Sequence, residues 1–289
     1  MRFGIIANRK RVGADAVIRR VINWSVEHGH QYLLCEDLKG VALESTLVKP
    51  RTELASLCDC IVSMGGDGTL LATARAVGAR EVPILGINLG SLGFLTQVTE
   101  DKVEESLAIV AEGKHRVEKR MLLSAFVEGH EKTTAGFALN DVVVDRGSVA
   151  RLVELNLYVN EEFISTYRAD GLIISTPTGS TAYNAAVGGP ILDPNMEAIL
   201  ASPMASQSLA ARSLLFRGND RIKIEILSKH DEGTMTIDGQ VAMTLKNGDT
   251  IFITRAKHVA NLITFPQHSF YEILRNKLHW AVLPKTQAE

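Results

Sequence analysis

An α/β domain, a parallel sheet with flanking helices, followed by an all-β domain is the architecture that these 289 residues predict. Two observations lead there. Up to about residue 115, short apolar runs alternate with stretches of helical period, the pattern of a parallel sheet covered by helices. From Arg116 onward the texture changes to short period-two runs separated by Asn, Gly and Asp turns, the pattern of antiparallel strands. The expected boundaries are 1–115 for the α/β domain, 116–268 for the β domain and 269–289 for a terminal helical segment.

In order, residues 2–8 read as a buried strand. Ala14 to His28 place Val17, Ile18, Val21, Ile22, Trp24 and Val26 at helical spacing, so the chain opens with a βα unit. Gln31 to Cys35 is a second strand; 36–56 has weak period, and a helix is placed only near 50–57. Cys60 to Met64 is a strand, Gly65 to Gly68 a loop, and Thr69 to Val77 a helix closed by Gly78. Pro83 to Asn88 is a further strand, Gly90-Ser91-Leu92-Gly93-Phe94-Leu95 follows it, and Asp101 to Glu112 is a helix. The expected β-domain strands are Val117–Val127, Ala135–Val144, Val153–Val159, Phe163–Tyr167, Leu172–Thr176, Arg221–Leu227, Thr234–Ile237 and Thr250–Thr254. Turns stand at Asn160-Glu161, Asp238-Gly239 and Asn247-Gly248-Asp249, the last two suited to tight hairpins. Ala182 to Ile191, small and Gly-rich, reads as a helix and turn lining a site. Ser269 to Trp280 is an amphipathic helix with Phe270, Ile273, Leu274 and Leu278 on one face.

Composition narrows the function. Hydrophobic residues at 46% and charged residues at 22% describe an ordinary folded chain. A net charge of −2 argues against a nucleic-acid partner, whose footprint would be a basic face or run. Nothing approaches the roughly 18 uninterrupted apolar residues of a membrane span, and the apolar run after Met1 is too short for a signal segment. Cys35, Cys58 and Cys60, odd in number and set in or beside apolar runs, fit buried free thiols in a reducing compartment. The expected location is the cytoplasm.

The chemistry centres on Cys60-Ile61-Val62-Ser63-Met64-Gly65-Gly66-Asp67-Gly68-Thr69-Leu70-Leu71. Gly65, Gly66 and Gly68 free the backbone for positive φ and close approach to a ligand, and the helix that follows adds the positive end of its dipole. This is an anion cradle. It holds a carboxylate, Asp67, which a phosphate site tolerates only with a metal, a cation or a transferable proton beside it. A tight turn with Asp67 satisfied locally is the alternative. The chain has no Gly-x-x-x-x-Gly-Lys-[Ser/Thr], no Gly-x-Gly-x-x-Gly after the first strand, no His-Glu-x-x-His and no Gly-x-Ser-x-Gly, which removes the P-loop ATPases, Rossmann dehydrogenases, zincins and α/β-hydrolases.

Gly65-Gly66-Asp67-Gly68-Thr69 resembles the phosphate loop shared by NAD kinases, 6-phosphofructokinases and diacylglycerol-type lipid kinases. With it, Asn140-Asp141, Arg168-Ala169-Asp170-Gly171, Thr176-Pro177-Thr178-Gly179-Ser180-Thr181-Ala182-Tyr183 and Gly188-Gly189-Pro190 resemble bacterial NAD kinases in content, order and spacing, from Phe3 to about Ile273. The resemblance implies transfer of the γ-phosphoryl group of ATP to the 2′-hydroxyl of the adenosine ribose of NAD. Asp67 would be the base that accepts the hydroxyl proton, with Mg²⁺ or another divalent cation carried by the nucleotide rather than by a protein cage. It further implies that Asn140 reads the adenine edge while Asp141 accepts ribose hydroxyls, that Asp170 bonds the nicotinamide carboxamide, and that Arg151 and Arg168 balance phosphate charge. Thr181, Ala182, Tyr183, Asn184, Ala185 and Ala186 would line the dinucleotide site, with Gln240 at its edge. It implies as well that the terminal helix returns to the first domain and that the chain forms a homo-oligomer, a tetramer or dimer.

Bland readings stand beside these: an Asx turn for Asn140-Asp141, a loop of local hydroxyl bonds for 176–183, a solvated strand charge for Arg151 and a plain hairpin residue for Gln240. Many NAD kinases have Asp141 as Glu, and many have a Pro-His pair where this chain has Ser206-Gln207, a change expected to loosen that loop. A diacylglycerol-type lipid kinase would share the glycine loop but expose a basic or apolar face to a membrane. A non-enzymatic NAD(P) sensor would keep the binding residues and lose Asp67.

Overall fold

The computed structural model describes residues 1–41, 47–90, 92–128, 135–147, 152–227, 233–266 and 269–278. Its elements run β1 (Arg2–Ala7), α1 (Ala14–Glu27), β2 (Gln31–Cys35), β3 (Val48–Lys49), α2 (Arg51–Leu57), β4 (Cys60–Gly65), α3 (Asp67–Val77), β5 (Ile84–Asn88) and α4 (Val103–Ala111). Then follow β6 (Arg116–Glu128), β7 (Ala135–Ala138), β8 (Asp141–Asp145), β9 (Val153–Val159), β10 (Glu162–Ala169), β11 (Gly171–Ser175), α5 (Tyr183–Ala186), β12 (Ala198–Met204), β13 (Leu214–Arg217), β14 (Ile222–Ile226), β15 (Gly233–Ile237), β16 (Val241–Leu245), β17 (Thr250–Thr264) and α6 (Phe270–Leu278). The chain forms two compact units. One contains Met1–Leu70, Pro83–Glu118 and Leu262–Glu289; the other contains Leu71–Val82 and Lys119–Asn261.

The first unit is a parallel sheet in the order β3-β2-β1-β4-β5, extended by the last residues of β17, where Leu262 pairs with Ile84. Its strands are near-continuous apolar runs because both faces are covered, and Phe3, Ile5, Ile61, Val62, Met64 and Ile84 are fully buried. Helix α1 turns Ala14, Val17, Ile18, Val21 and Trp24 inward and leaves Arg19 and Glu27 exposed, while Arg20 pairs with Glu104. The cysteines sit in this core, where burial pushes the Cys58 thiol up to about 11 and Cys60 to about 12, so neither is a nucleophile.

The second unit is a β sandwich. One sheet has the order β13-β12-β11-β8-β15-β16, and the other has β10-β9-β14-β17 with β6 and β7 beside it. Alternate residues of both sheets, among them Leu123, Val142, Val144, Leu155, Leu157, Ile174, Ile199, Ile224 and Ile251, meet in one core. The β9–β10 hairpin turns on Asn160 and Glu161 alone, at φ 51° and 67°, the left-handed pair of a type I′ turn.

Several expectations are corrected. Helix α3 begins at Asp67, two residues before Thr69, and Gly66 alone separates it from β4. None of Gly65, Gly66 and Gly68 has a positive φ. Gly65 is needed instead because a Cβ there would lie 2.2 Å from Thr69 Oγ1. The run Ala135–Val144 is two strands, broken at Leu139-Asn140, and β17 continues to Thr264, ten residues past the expected end. Asn247-Gly248-Asp249 makes no hairpin: β16 pairs with β15, whereas β17 pairs with β14, so the turn changes sheets. Strands β3, β12, β13 and β16 were not expected. The compact units exchange short segments across residue 115 without bearing on the expected boundaries. Residues 71–82 join the second unit, where Glu81 accepts the Val259 N–H, and residues 262–268 join the first through the Leu262–Ile84 pairing. Helix α6 clusters with the first unit, and the part of the expected terminal helix beyond Leu278 lies outside the described residues.

Candidate active site

In the first unit, Asp67 stands on the first turn of α3 with its carboxylate turned onto the segment after β5. Oδ2 accepts the Phe94 N–H at 2.9 Å. Oδ1 accepts the Leu95 N–H, the Thr96 N–H and the Thr96 hydroxyl, each at 3.1 Å. The Thr96 hydroxyl in turn accepts from Asn88 Nδ2 at 2.7 Å, and both residues are buried. This chain of donors aims the hydroxyl proton at Oδ1. Oδ2, with one donor against three, is the oxygen with capacity to take a proton. Gly93 makes the seat possible, because a Cβ on it would lie 2.0 Å from Asp67 Oδ1. Asn88, Gly93 and Thr96 escaped the sequence reading, although the glycine-rich run 90–95 after a strand end was a signal for them.

In the second unit, a cavity of about 270 Å³ is lined by Asn140, Asp141, Val143, Asp145, Ala182, Tyr183, Thr236, Asp238 and Gly239. Four residues from two separate motifs, Asn140, Asp141, Ala182 and Tyr183, thus meet in one pocket. Three carboxylates on its wall suit a ligand that donates hydroxyl or amino protons and disfavour a phosphate. Asp238, missed as a site residue, organises this wall. Its carboxylate accepts the N–H groups of Leu139, Asn140 and Asp141 at 3.2, 2.8 and 3.3 Å, and Arg75 lies 3.6 Å away. Gln240 accepts from Arg75 Nη1 at 3.3 Å. Burial first, and then the Asp238 charge, push Asp141 up to about 7. Burial also raises Asp238, opposed by its three N–H donors and Arg75.

The hydroxyl-rich stretch spends Thr176, Ser180 and Thr181 on backbone carbonyls of its own loop and of Leu139. Thr176 Oγ1 donates to Leu139 O at 2.6 Å and accepts the Gly179 N–H; Ser180 Oγ donates to Pro177 O and accepts the Leu192 N–H. Asn184 is fully buried, its amide bonded to Ser180 O, Pro190 O and Ser202 Oγ. Gly179 lets this loop rest on Asn140, where a Cβ would lie 2.1 Å from Asn140 O. Thr181 Oγ1 reaches Thr178 O, Ala185 is half-buried and Ala186 exposed. Arg168 and Asp170 do not line the cavity: Arg168 is paired with Glu154 at 3.5 Å and Asp170 with Arg146 at 3.0 Å. Arg151 lies outside the described residues. Among the described residues, no three His, Cys, Asp or Glu side chains are grouped as for a metal ion, and no helix is long and apolar enough to cross a membrane.

The chain matches the ATP-NAD kinase N-terminal domain over residues 3–115 and the ATP-NAD kinase C-terminal domain over residues 139–265. It is 39% identical over 280 residues to an NAD kinase of Syntrophotalea carbinolica, covering 96% of this chain and 98% of that one. It is 44% identical over 229 residues to an NAD kinase of Geobacter metallireducens, covering 79% and 81%. Among solved structures, yeast NADH kinase complexed with NADH superposes with a TM-score of 0.91 at 22% identity, over 100% of this chain and 90% of that one. An NAD kinase from Archaeoglobus fulgidus in complex with ATP gives 0.78 at 24%, over 96% and 99%. At these identities the two structures bear on the fold alone. With both domain matches and relatives near 40% identity along almost its whole length, the chain belongs to the NAD kinase family.

Proposed function

We propose that the chain transfers the γ-phosphoryl group of ATP to the 2′-hydroxyl of the adenosine ribose of NAD, giving NADP and ADP. The observation that carries the chemistry is the Asp67 carboxylate, held by four donors at the start of a helix beside the glycine loop. The 2′-oxygen attacks the γ-phosphorus, its proton passes to Asp67 Oδ2, and the bond to the β-phosphate oxygen breaks. The start of α3 favours the phosphates through its dipole. A divalent cation, Mg²⁺ in our reading, arrives with the triphosphate and offsets charge on its oxygens.

The carboxylate-lined cavity of the second unit takes the adenosine end of NAD, Asn140 at the adenine and Asp141 at the ribose. Tyr183, 44% exposed, offers an apolar face to it. Asn184 supports the loop rather than touching the ligand. Asp170, Arg168, Arg151, Thr181, Ala185, Ala186 and Gln240 are kept as dinucleotide contacts on the family resemblance, with Asp170 shared with Arg146. We place the protein in the cytoplasm and expect a homo-oligomer, a tetramer or dimer. A lipid kinase and a non-enzymatic sensor are disfavoured by the full-length NAD kinase relatives and by the seated Asp67.

Incubating the purified chain with NAD and ATP·Mg tests the reading. NADP formation, read by an NADP-specific dehydrogenase, is the expected result. Absence of product with NAD and with NADH would overturn it.

A further inference from the structure

Phosphoryl transfer is favoured by a cation where the charge moves, and the segment after β1 supplies a candidate. Asn8 is followed there by Arg9, Lys10 and Arg11. Arg9 is engaged, donating to both Asp15 carboxylate oxygens at 2.9 and 2.8 Å. Arg11 is not. Its guanidinium lies against the backbone of two glycines: a Cβ on Gly66 would be 3.6 Å from one terminal nitrogen, and a Cβ on Gly90 would be 3.9 Å from the other. Gly66 is the single residue between β4 and α3, and Gly90 lies just past the end of the neighbouring strand β5. The planar group therefore spans two loops at the carboxyl ends of adjacent parallel strands, where open α/β sheets bind their ligands. It has no ion-pair partner among the described residues. A Cβ at position 66 or 90 would stand at ordinary contact distance from the group, so the fork borders both glycine loops.

We propose that Arg11 is a catalytic residue of the reaction assigned above. Its guanidinium binds γ-phosphoryl oxygens of ATP at the glycine loop and balances their charge as the bond from the ribose 2′-oxygen forms and the bond to the β-phosphate oxygen breaks. The proton goes to Asp67 and the electron pair of the broken bond stays on ADP. The planar fork of arginine meets two phosphoryl oxygens at once, which the point charge of lysine does not.

The inference rests on the NAD kinase reading, so its test uses two readouts, kinetics and nucleotide binding by calorimetry. Arg11→Ala should lower kcat roughly 10²–10³-fold, the scale for one charged or oriented donor at a transferring group. Arg11→Lys should recover no more than about a tenth of the wild-type kcat, and the KM for NAD should stay within about two-fold in both. In Arg11→Ala the dissociation constant of ATP·Mg should rise about five-fold or more while that of ADP·Mg hardly moves, since only the γ-phosphoryl contact is lost. A kcat within about three-fold of wild type, or equal losses for ATP and ADP, overturns the assignment. If the wild-type chain makes no NADP, the kinase reading falls, and the ATP-against-ADP comparison still decides the role of Arg11.

Discussion

At the scale of single residues, Asp67 and Asp141 are two carboxylates in contrasting settings. Asp67→Asn is expected to lower kcat roughly 10²–10⁴-fold with NAD binding little changed, the range for a lost general base. The asparagine amide cannot satisfy all four donors, since its NH₂ would face either the Phe94 N–H or the donors at Oδ1. A fall in stability of about 1–2 kcal/mol should accompany the kinetic loss, read from a denaturant midpoint. Asp141→Ala should raise the KM for NAD, measured above about pH 7 where Asp141 is ionised, by a cost of about 1.5–3 kcal/mol for a charged hydrogen bond, and leave ATP almost untouched. Equal weakening of both nucleotides would assign the pocket to the wrong substrate. Asp141 also carries a pH signature. Because its folded value, about 7, lies above the ordinary 3.8, folding favours the protonated form. That contribution is whole below about pH 4 and is lost as the pH rises through about 7, so stability should decline across this window and Asp141→Asn should flatten the decline.

At the scale of elements, the start of α3 and the segment after β5 act as one device. Gly93→Ala puts a methyl group 2.0 Å from Asp67 Oδ1 and must evict either the carboxylate or the loop. The expected result is a kcat loss comparable to that of Asp67→Asn, with a stability cost of about 1–3 kcal/mol for overpacking. A Gly93→Ala enzyme with near-normal kcat would show that the Asp67 seat is not what the reaction uses. The β15–β16 hairpin is the corresponding device in the second unit. Asp238 and Gly239, at φ 50° and 63°, turn the chain so that the Asp238 carboxylate reaches the amides of residues 139–141.

At the scale of the whole molecule, the chain is expected to work as a homo-oligomer. The dinucleotide contacts assigned to the second unit sit on separated turns, and among the described residues strands β13 and β16 stand at the two ends of their sheet. A second copy covering such an edge closes both the site and the sheet, with the closed symmetry usual for homo-oligomers. Specific activity should therefore fall on dilution into the monomer. Light scattering that finds a monomer at concentrations where specific activity is already maximal would sink this expectation.

The sequence by itself determined the α/β and all-β halves, the strand–glycine–helix turn with Asp67 in it, and the family. These are written in local period and in contiguous motifs, and both survive without knowledge of contacts. It also placed Asn140-Asp141 and Ala182-Tyr183 in one site, because the resemblance joined them. The tertiary structure decided what each polar group does. Asn184 and most hydroxyls of 176–183 hold the loop, a use that depends on Ser202 and Leu192, distant in sequence. Asp238 serves the amides of 139–141 from about a hundred positions away. Asp67 is seated by Phe94, Leu95 and Thr96, reached only because β4 and β5 lie side by side. Hydrogen-bond partners are set by the pairing of strands, and a one-residue change of register alters every one of them.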